Sequence, residues 1–199
     1  MPKLSFDLVE SLLIVGLGNP TQKYEKTRHN AGFWFLDELA KRESLSFESI
    51  ARFQGVLATT VLADQKVYFL KPMTFMNNSG RSISAVSRYY KIPLEKILIA
   101  HDDLDFEAGM VRLKRNGGHG GHNGVRDAIT SLGGADFLRL RIGVGRPVSR
   151  EEVLSFVLKR PTAFEREAIV AGLQFVADQF ELLISGKINQ AMNVLHGQR

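Results

Sequence analysis

Cysteine is absent from these 199 residues. Disulfides, thiolate nucleophiles and cysteine metal sites are thereby excluded, and a reducing compartment fits. Long apolar runs are missing too, since no stretch approaches the ~20 residues of a membrane-spanning helix. The opening Met1-Pro2-Lys3-Leu4-Ser5-Phe6-Asp7-Leu8-Val9-Glu10 carries Asp7 and Glu10 where a secretory leader needs an uninterrupted apolar core. The expectation is a cytoplasmic protein with no membrane partner. Several catalytic signatures are also lacking. No Gly-x-Ser-x-Gly elbow occurs, which removes that serine-nucleophile class. Gly16-Leu17-Gly18 follows an apolar run, but Thr21 stands where a dinucleotide fingerprint needs its third glycine. The run Gly117-Gly118-His119-Gly120-Gly121-His122-Asn123-Gly124 lacks the Lys-Ser/Thr of a nucleotide phosphate loop. His101, Asp102, Asp103, Asp105, His119 and His122 form no His-x-x-x-His pair or other spaced ligand set, so no metal is expected.

What is present is an ordinary globular composition, 44% hydrophobic and 24% charged, with a formal net charge of +5. The length suits one well-buried domain. The residues up to about position 10 read as an N-terminal extension, and 11–199 as a single domain. Positive charge matters by distribution more than by total. Arg112, Lys114 and Arg115 flank the second glycine run, and Arg139, Arg141 and Arg146 lie in or beside the strand after it. A solvated basic face is the plain account, and a phosphate-binding rim is the sharper one.

Apolar patterning predicts strands at 12–17, 54–62, 66–70, 97–100, 110–114 and 138–144, and helices at 30–43, 79–90 and 123–131. Ala63-Asp64-Gln65 links two β-rich segments as a hairpin. Mostly helical chain follows Ser149, where Ser149 and Glu152 resemble a capping box. Ala168, Leu173, Val176, Phe180 and Leu183 supply a stripe that reads as core. The alternation argues an α/β fold, a twisted, mostly parallel mixed central sheet flanked by helices.

In such sheets ligands bind beyond the carboxyl ends of strands. His29 follows the strand at 12–17, and its ordinary pKa of about 6.5 suits proton transfer near neutrality. Asp102 ends the strand that begins at Ile97, where a parallel sheet can bring it beside His29 to fix the tautomer and raise basicity. Asn19, Asn77 and Asn123 lie at element ends. Each alone is a turn or cap residue; together they offer neutral amides that can hold a carbonyl, a peptide or a water.

The chain resembles the bacterial peptidyl-tRNA hydrolase family. The residues that carry the resemblance are Gly16-Leu17-Gly18-Asn19-Pro20, Tyr24, Thr27-Arg28-His29-Asn30-Ala31-Gly32, Lys71 to Gly80, His101-Asp102-Asp103-Leu104-Asp105, Gly117 to Gly124 and Arg139 to Pro147. Thr21 departs from the glycine that the family commonly has, a surface-turn change. The resemblance implies hydrolysis of the ester joining a peptide to tRNA, by a monomer without a cofactor. It implies His29 as general base and Asp102 as its orienting partner. Asn19 and Asn77 would position the substrate near the ester, and Asn123 would hold the peptide or the water. Tyr24, Met76 and His122 would line the cleft, while Lys114 and Arg141 would clamp the tRNA 5′-phosphate. A non-catalytic RNA-binding relative would use the same cleft but lack the base or its aspartate. A nucleotide-dependent enzyme would need tight binding of a nucleotide at the first glycine turn.

Overall fold

β1 (Ser11–Gly16) occupies the middle of a seven-stranded sheet. The computed structural model describes residues 11–197, so the expected extension at 1–10 lies outside the described residues. After β1 come α1 (Ala31–Arg42), the short β2 (Glu48–Ile50), the hairpin of β3 (Gly55–Leu62) and β4 (Gln65–Pro72), and α2 (Ser79–Tyr90). Then follow β5 (Ile97–Asp103), β6 (Val111–Arg115), α3 (Asn123–Leu132) and β7 (Leu138–Gly143). Four helices close the chain: α4 (Val153–Val157), α5 (Ala163–Asp178), α6 (Phe180–Ile184) and α7 (Ile188–His196).

The strand order is β2-β3-β4-β1-β5-β7-β6. Parallel pairing is confined to the four central strands, β4, β1, β5 and β7. The flanks pair antiparallel, β2 and β3 on one side and β6 on the other. The expected mixed sheet is present, with its parallel part concentrated where strands are buried on both faces. Period-two alternation divides the core. Leu13 and Val15 of β1 join one cluster with Ile83 and Val86 of α2 and Val125 and Ala128 of α3. Ile14 joins the other, with Phe35 and Leu39 of α1, Leu173 and Val176 of α5 and Leu195 of α7. Burying each such side chain is worth roughly 1.5–3 kcal/mol, which holds a helical layer on either face.

Local chemistry explains the boundaries. Ala63 and Asp64 both adopt left-handed backbone angles (φ 47° and 59°), the geometry of a two-residue turn matched to strand twist. Residues 79–90 are helical as expected, and Lys91 ends α2 in a left-handed conformation. The capping box expected at Ser149 and Glu152 does not form. Residues 148–152 are irregular, α4 starts only at Val153, and Glu152 makes no side-chain cap. A reciprocal box forms instead at α5, where the Thr162 hydroxyl accepts from the Glu165 N–H and the Glu165 carboxylate accepts from the Thr162 N–H.

One contact sets the geometry of the site. At the start of α1, Gly32 lies directly on the ends of β1 and β5. A β-carbon on it would fall 2.3 Å from the Ala100 carbonyl oxygen and 2.4 Å from the Leu17 nitrogen. Only a glycine lets the helix come this close, and His29 is three residues upstream.

Candidate active site

His29 sits on a single 3₁₀ turn, Arg28–Asn30, above the carboxyl end of β5. Its Nδ1 lies 2.9 Å from Asp102 Oδ1, and both side chains are buried. The two residues expected to meet do so across 73 positions of sequence. The same Oδ1 is also 2.9 Å from His122 Nε2. His122 caps α3, its Nδ1 accepting from the Val125 N–H at 3.3 Å.

These contacts assign the protons. Asp102 is an acceptor, so His29 donates from Nδ1 and keeps a bare lone pair on Nε2. His122 donates from Nε2, and its remaining lone pair is taken by a backbone amide. Burial alone would raise the Asp102 pKa, but the two imidazoles outweigh it and hold the carboxyl well below the usual carboxylate range. Burial opposes charge on His29, yet the charge and hydrogen bond of Asp102 win and its pKa is raised above 6.5. The His101 ring packs edge-on to His122, at 4.9 Å between centroids, and donates from Nδ1 to its neighbour's carbonyl at 2.8 Å. Burial, helped by His122, pushes its pKa down to about 4, so it is neutral.

His29, Asp102 and His122 offer three ligand-type atoms within 4.8 Å of one another. They fit a metal poorly. A cation would take the two nitrogens that donate to Asp102, which forces the proton of His29 onto Nε2 and removes the lone pair facing the cavity.

A cavity of about 640 Å³ opens beside this cluster. His29, Asp102, His122 and Asn123 line it, and so do Val153, Leu154 and Val157 of α4. Asn19, Tyr24, Met76 and Asn77 do not line it; they gather elsewhere, on the loops after β1 and β4. Asn19 Oδ1 accepts from the Met76 N–H at 2.9 Å, which ties the two loops together and leaves the Asn19 amide N–H groups to offer. Tyr24 meets Phe75 edge-on at 6.5 Å. Met76 is buried with its sulfur against Gly124, while Asn77 and Asn123 are both exposed. Asn123 Oδ1 accepts from Arg126 at 3.2 Å, which uses the amide oxygen and leaves the N–H groups as donors.

The basic rim is smaller than its letters suggest. Arg139 is buried and donates to the carbonyls of Gly117 and Gly118, bracing the glycine loop. Arg141 Nε donates to Asp103 at 2.7 Å, and its NH2 group to Asp105 at 3.1 Å. Arg146 also pairs with Asp105. Lys114 is exposed and stands opposite Arg139 in the ladder, not opposite Arg141. From the level of Asp102 it is three residues along the strands, about 10 Å.

Known proteins are similar to this one in both sequence and fold. The family model described as peptidyl-tRNA hydrolase matches residues 13–199. The chain belongs to the peptidyl-tRNA hydrolase family. It is 48% identical over 184 residues to a peptidyl-tRNA hydrolase of Methylococcus capsulatus, an overlap of 92% of this chain and 98% of the relative. It is 47% identical over 190 residues to one of Neisseria gonorrhoeae, covering 94% and 97% of the two chains. The crystal structure of peptidyl-tRNA hydrolase from Acinetobacter baumannii superposes with a TM-score of 0.90 at 43% identity, over 94% of this chain and 95% of that one. Among the described residues no helix is long and apolar enough to cross a membrane.

Three residues of this peptidyl-tRNA hydrolase family member carry more of the site than their letters signalled. Asn30 clasps Asn19, accepting from its N–H at 2.9 Å and donating to its carbonyl at 3.1 Å. His122 is a second donor to Asp102 rather than a cleft-lining side chain alone. Arg28 is a buried cation next to the candidate base. Asn30 and Arg28 stood in a motif that resembled the family, but nothing in their spacing marked a role.

Proposed function

We propose that His29 is the general base of peptidyl-tRNA ester hydrolysis and that Asp102 orients it. The observation that supports this most is the single proton arrangement available to the pair, which leaves one lone pair beside a cavity. A water on His29 Nε2 loses a proton as it attacks the ester carbonyl. The imidazolium formed is stabilised by the Asp102 carboxylate. Side-chain N–H groups of Asn19 and Asn77 stabilise the oxyanion and align the substrate, and Asn123 holds the peptide or the water. One such donor is worth about 10²–10³-fold in rate. Collapse of the tetrahedral species breaks the bond to the ribose oxygen, which takes its proton from His29. Of the three residues that the resemblance puts in the cleft, His122 lines the cavity, while Tyr24 and Met76 stand with Asn19 and Asn77 on the loops after β1 and β4.

Lys114 contacts the 5′-phosphate of the tRNA, and Arg141 joins it by exchanging Asp105 for phosphate. Paired RNA hides its base edges, so backbone charge and shape are what an enzyme serving many tRNAs can read. Every group named lies on one seven-stranded sheet or on the loops and helices joined to it, which favours a single catalytic domain, and the proposed set is complete within one chain, which favours a monomer. A translation-linked substrate favours the cytoplasm. An RNA-binding relative without activity is disfavoured because base, aspartate and all three asparagines are present.

The deciding assay compares N-acetylaminoacyl-tRNA with free aminoacyl-tRNA. The blocked substrate is cleaved preferentially, and Lys114→Ala raises its KM and lowers the slope of log KM against log salt by about 1. Equal cleavage of both substrates argues against the function, and an unchanged slope argues against the clamp.

The pH profile tests the base. Since His29 must be neutral, kcat/KM rises with pH to a plateau, with a midpoint above 6.5. Asp102→Asn removes the charge that raises the pKa and leaves the burial that lowers it, so the midpoint falls below 6.5. An unmoved midpoint in that variant shows that another group titrates.

A further inference from the structure

Arg28 immediately precedes the candidate base, and its side chain is only 6% exposed. Its NH1 group is directed at three backbone carbonyls, those of Phe156 (3.3 Å), Lys159 (3.3 Å) and Arg160 (3.1 Å). Its NH2 group donates to Glu165 at 2.7 Å, and its backbone N–H donates to the Lys159 carbonyl at 3.2 Å. The guanidinium also stacks on the Phe156 ring at 4.0 Å. These acceptors are carbonyls at the end of α4 and in the turn after it, groups that a helix leaves short of internal donors. Glu165 is the carboxylate of the α5 capping box. One planar cation therefore joins three things: the end of α4, the start of α5 and the turn that carries His29.

α4 has five residues, too few to be stable alone. Yet through Val153, Leu154 and Val157 it lines the same cavity as His29. Its only deeply buried side chain is Val157. We infer that Arg28 is a positioning residue, which fixes the α4 wall of the substrate cavity at a set distance from His29. The inference rests on the cavity being the substrate site. It assigns to Arg28 a role in holding substrate, exerted through α4, and none in proton transfer. Five donors in a fixed fork suit several acceptors at once, which a lysine cannot reproduce.

The test combines hydrogen exchange with steady-state kinetics on N-acetylaminoacyl-tRNA. In Arg28→Gln, amides of residues 153–160 exchange faster while those of β1 and β5 keep their protection. KM rises about 10- to 100-fold, as for the loss of an apolar pocket contact to the substrate, with kcat changed less than about threefold and the pH midpoint unmoved. Arg28→Lys keeps the charge and recovers part of the KM. Glu165→Gln, which keeps an oxygen for Thr162 but removes the charge facing Arg28, gives a smaller rise and serves if Arg28→Gln does not fold. A fall in kcat at constant KM, or unchanged exchange at 153–160, overturns the inference. Exchange that quickens with no change of KM also overturns it, since Arg28 then only stabilises the fold. Failure of the wild-type protein to cleave the substrate, with exchange at 153–160 responding as described, refutes the functional reading instead.

Discussion

His29→Ala lowers kcat/KM for N-acetylaminoacyl-tRNA by about 10²–10⁴-fold, the usual contribution of a positioned general base. The loss falls mainly on kcat, because the proposed base acts on the attacking water and holds no part of the RNA. No neighbouring group compensates. His122 shares the Asp102 oxygen, but its donor is spent on that carboxylate and its lone pair on the Val125 N–H. His101 is neutral and donates its proton to the Asp102 carbonyl. Residual activity comes from the amide donors, which the substitution leaves in place. Circular dichroism and tRNA binding should match the wild type. Turnover within about tenfold of wild type would remove His29 from the mechanism and leave the cavity without a base.

Gly32→Ala destabilises the protein by about 3 kcal/mol or more, at the upper end of overpacking effects. Alanine in a helix gains up to ~1 kcal/mol over glycine, so propensity alone predicts the opposite sign. The close approach decides. The added carbon would lie 2.3 Å from the Ala100 oxygen, 2.4 Å from the Leu17 nitrogen and 2.6 Å from the Leu17 oxygen, all backbone atoms that no rotamer change can clear. Leu17 N–H donates to the Ala100 carbonyl at 2.9 Å, so the clash falls on the hydrogen bond that joins the loop after β1 to β5. For a domain of this size the melting temperature drops by about 6–12 °C. Relief by sliding α1 moves His29 away from Asp102, so activity falls even where the variant still folds. A melting temperature within about 2 °C of wild type would show that α1 has room above the strand ends for a methyl group.

The strands at the centre of the sheet were legible because they are buried on both faces and read as apolar runs ended by glycine or charge. The flanks were harder. β2 has an exposed, exposed, half-buried pattern and no alternation to read. The start of α4 was misplaced because Ser149 and Glu152 have capping-box spacing but lie in an irregular stretch, whereas Thr162 and Glu165 have the same spacing and do cap. In the site, His29 and Asp102 stood out because both polar groups follow apolar strands. The role of Arg28 was not legible, since most of its partners are main-chain carbonyls 128 to 132 positions away, and a carbonyl leaves no mark in a sequence. The commitments of Arg139 and Arg141 were hidden for a related reason: which cation is free depends on how the strands are aligned across the sheet.

The locked tautomers around Asp102 have a consequence for how a catalytic cycle closes. With Nδ1 of His29 engaged by Asp102, the proposed mechanism leaves one nitrogen, Nε2, both to collect the proton from water and to hand it to the departing ribose oxygen. In that mechanism the side chain that begins the cycle unprotonated also ends it so, without a relay through the second ring, while the carboxylic acid product gives its own proton to solvent.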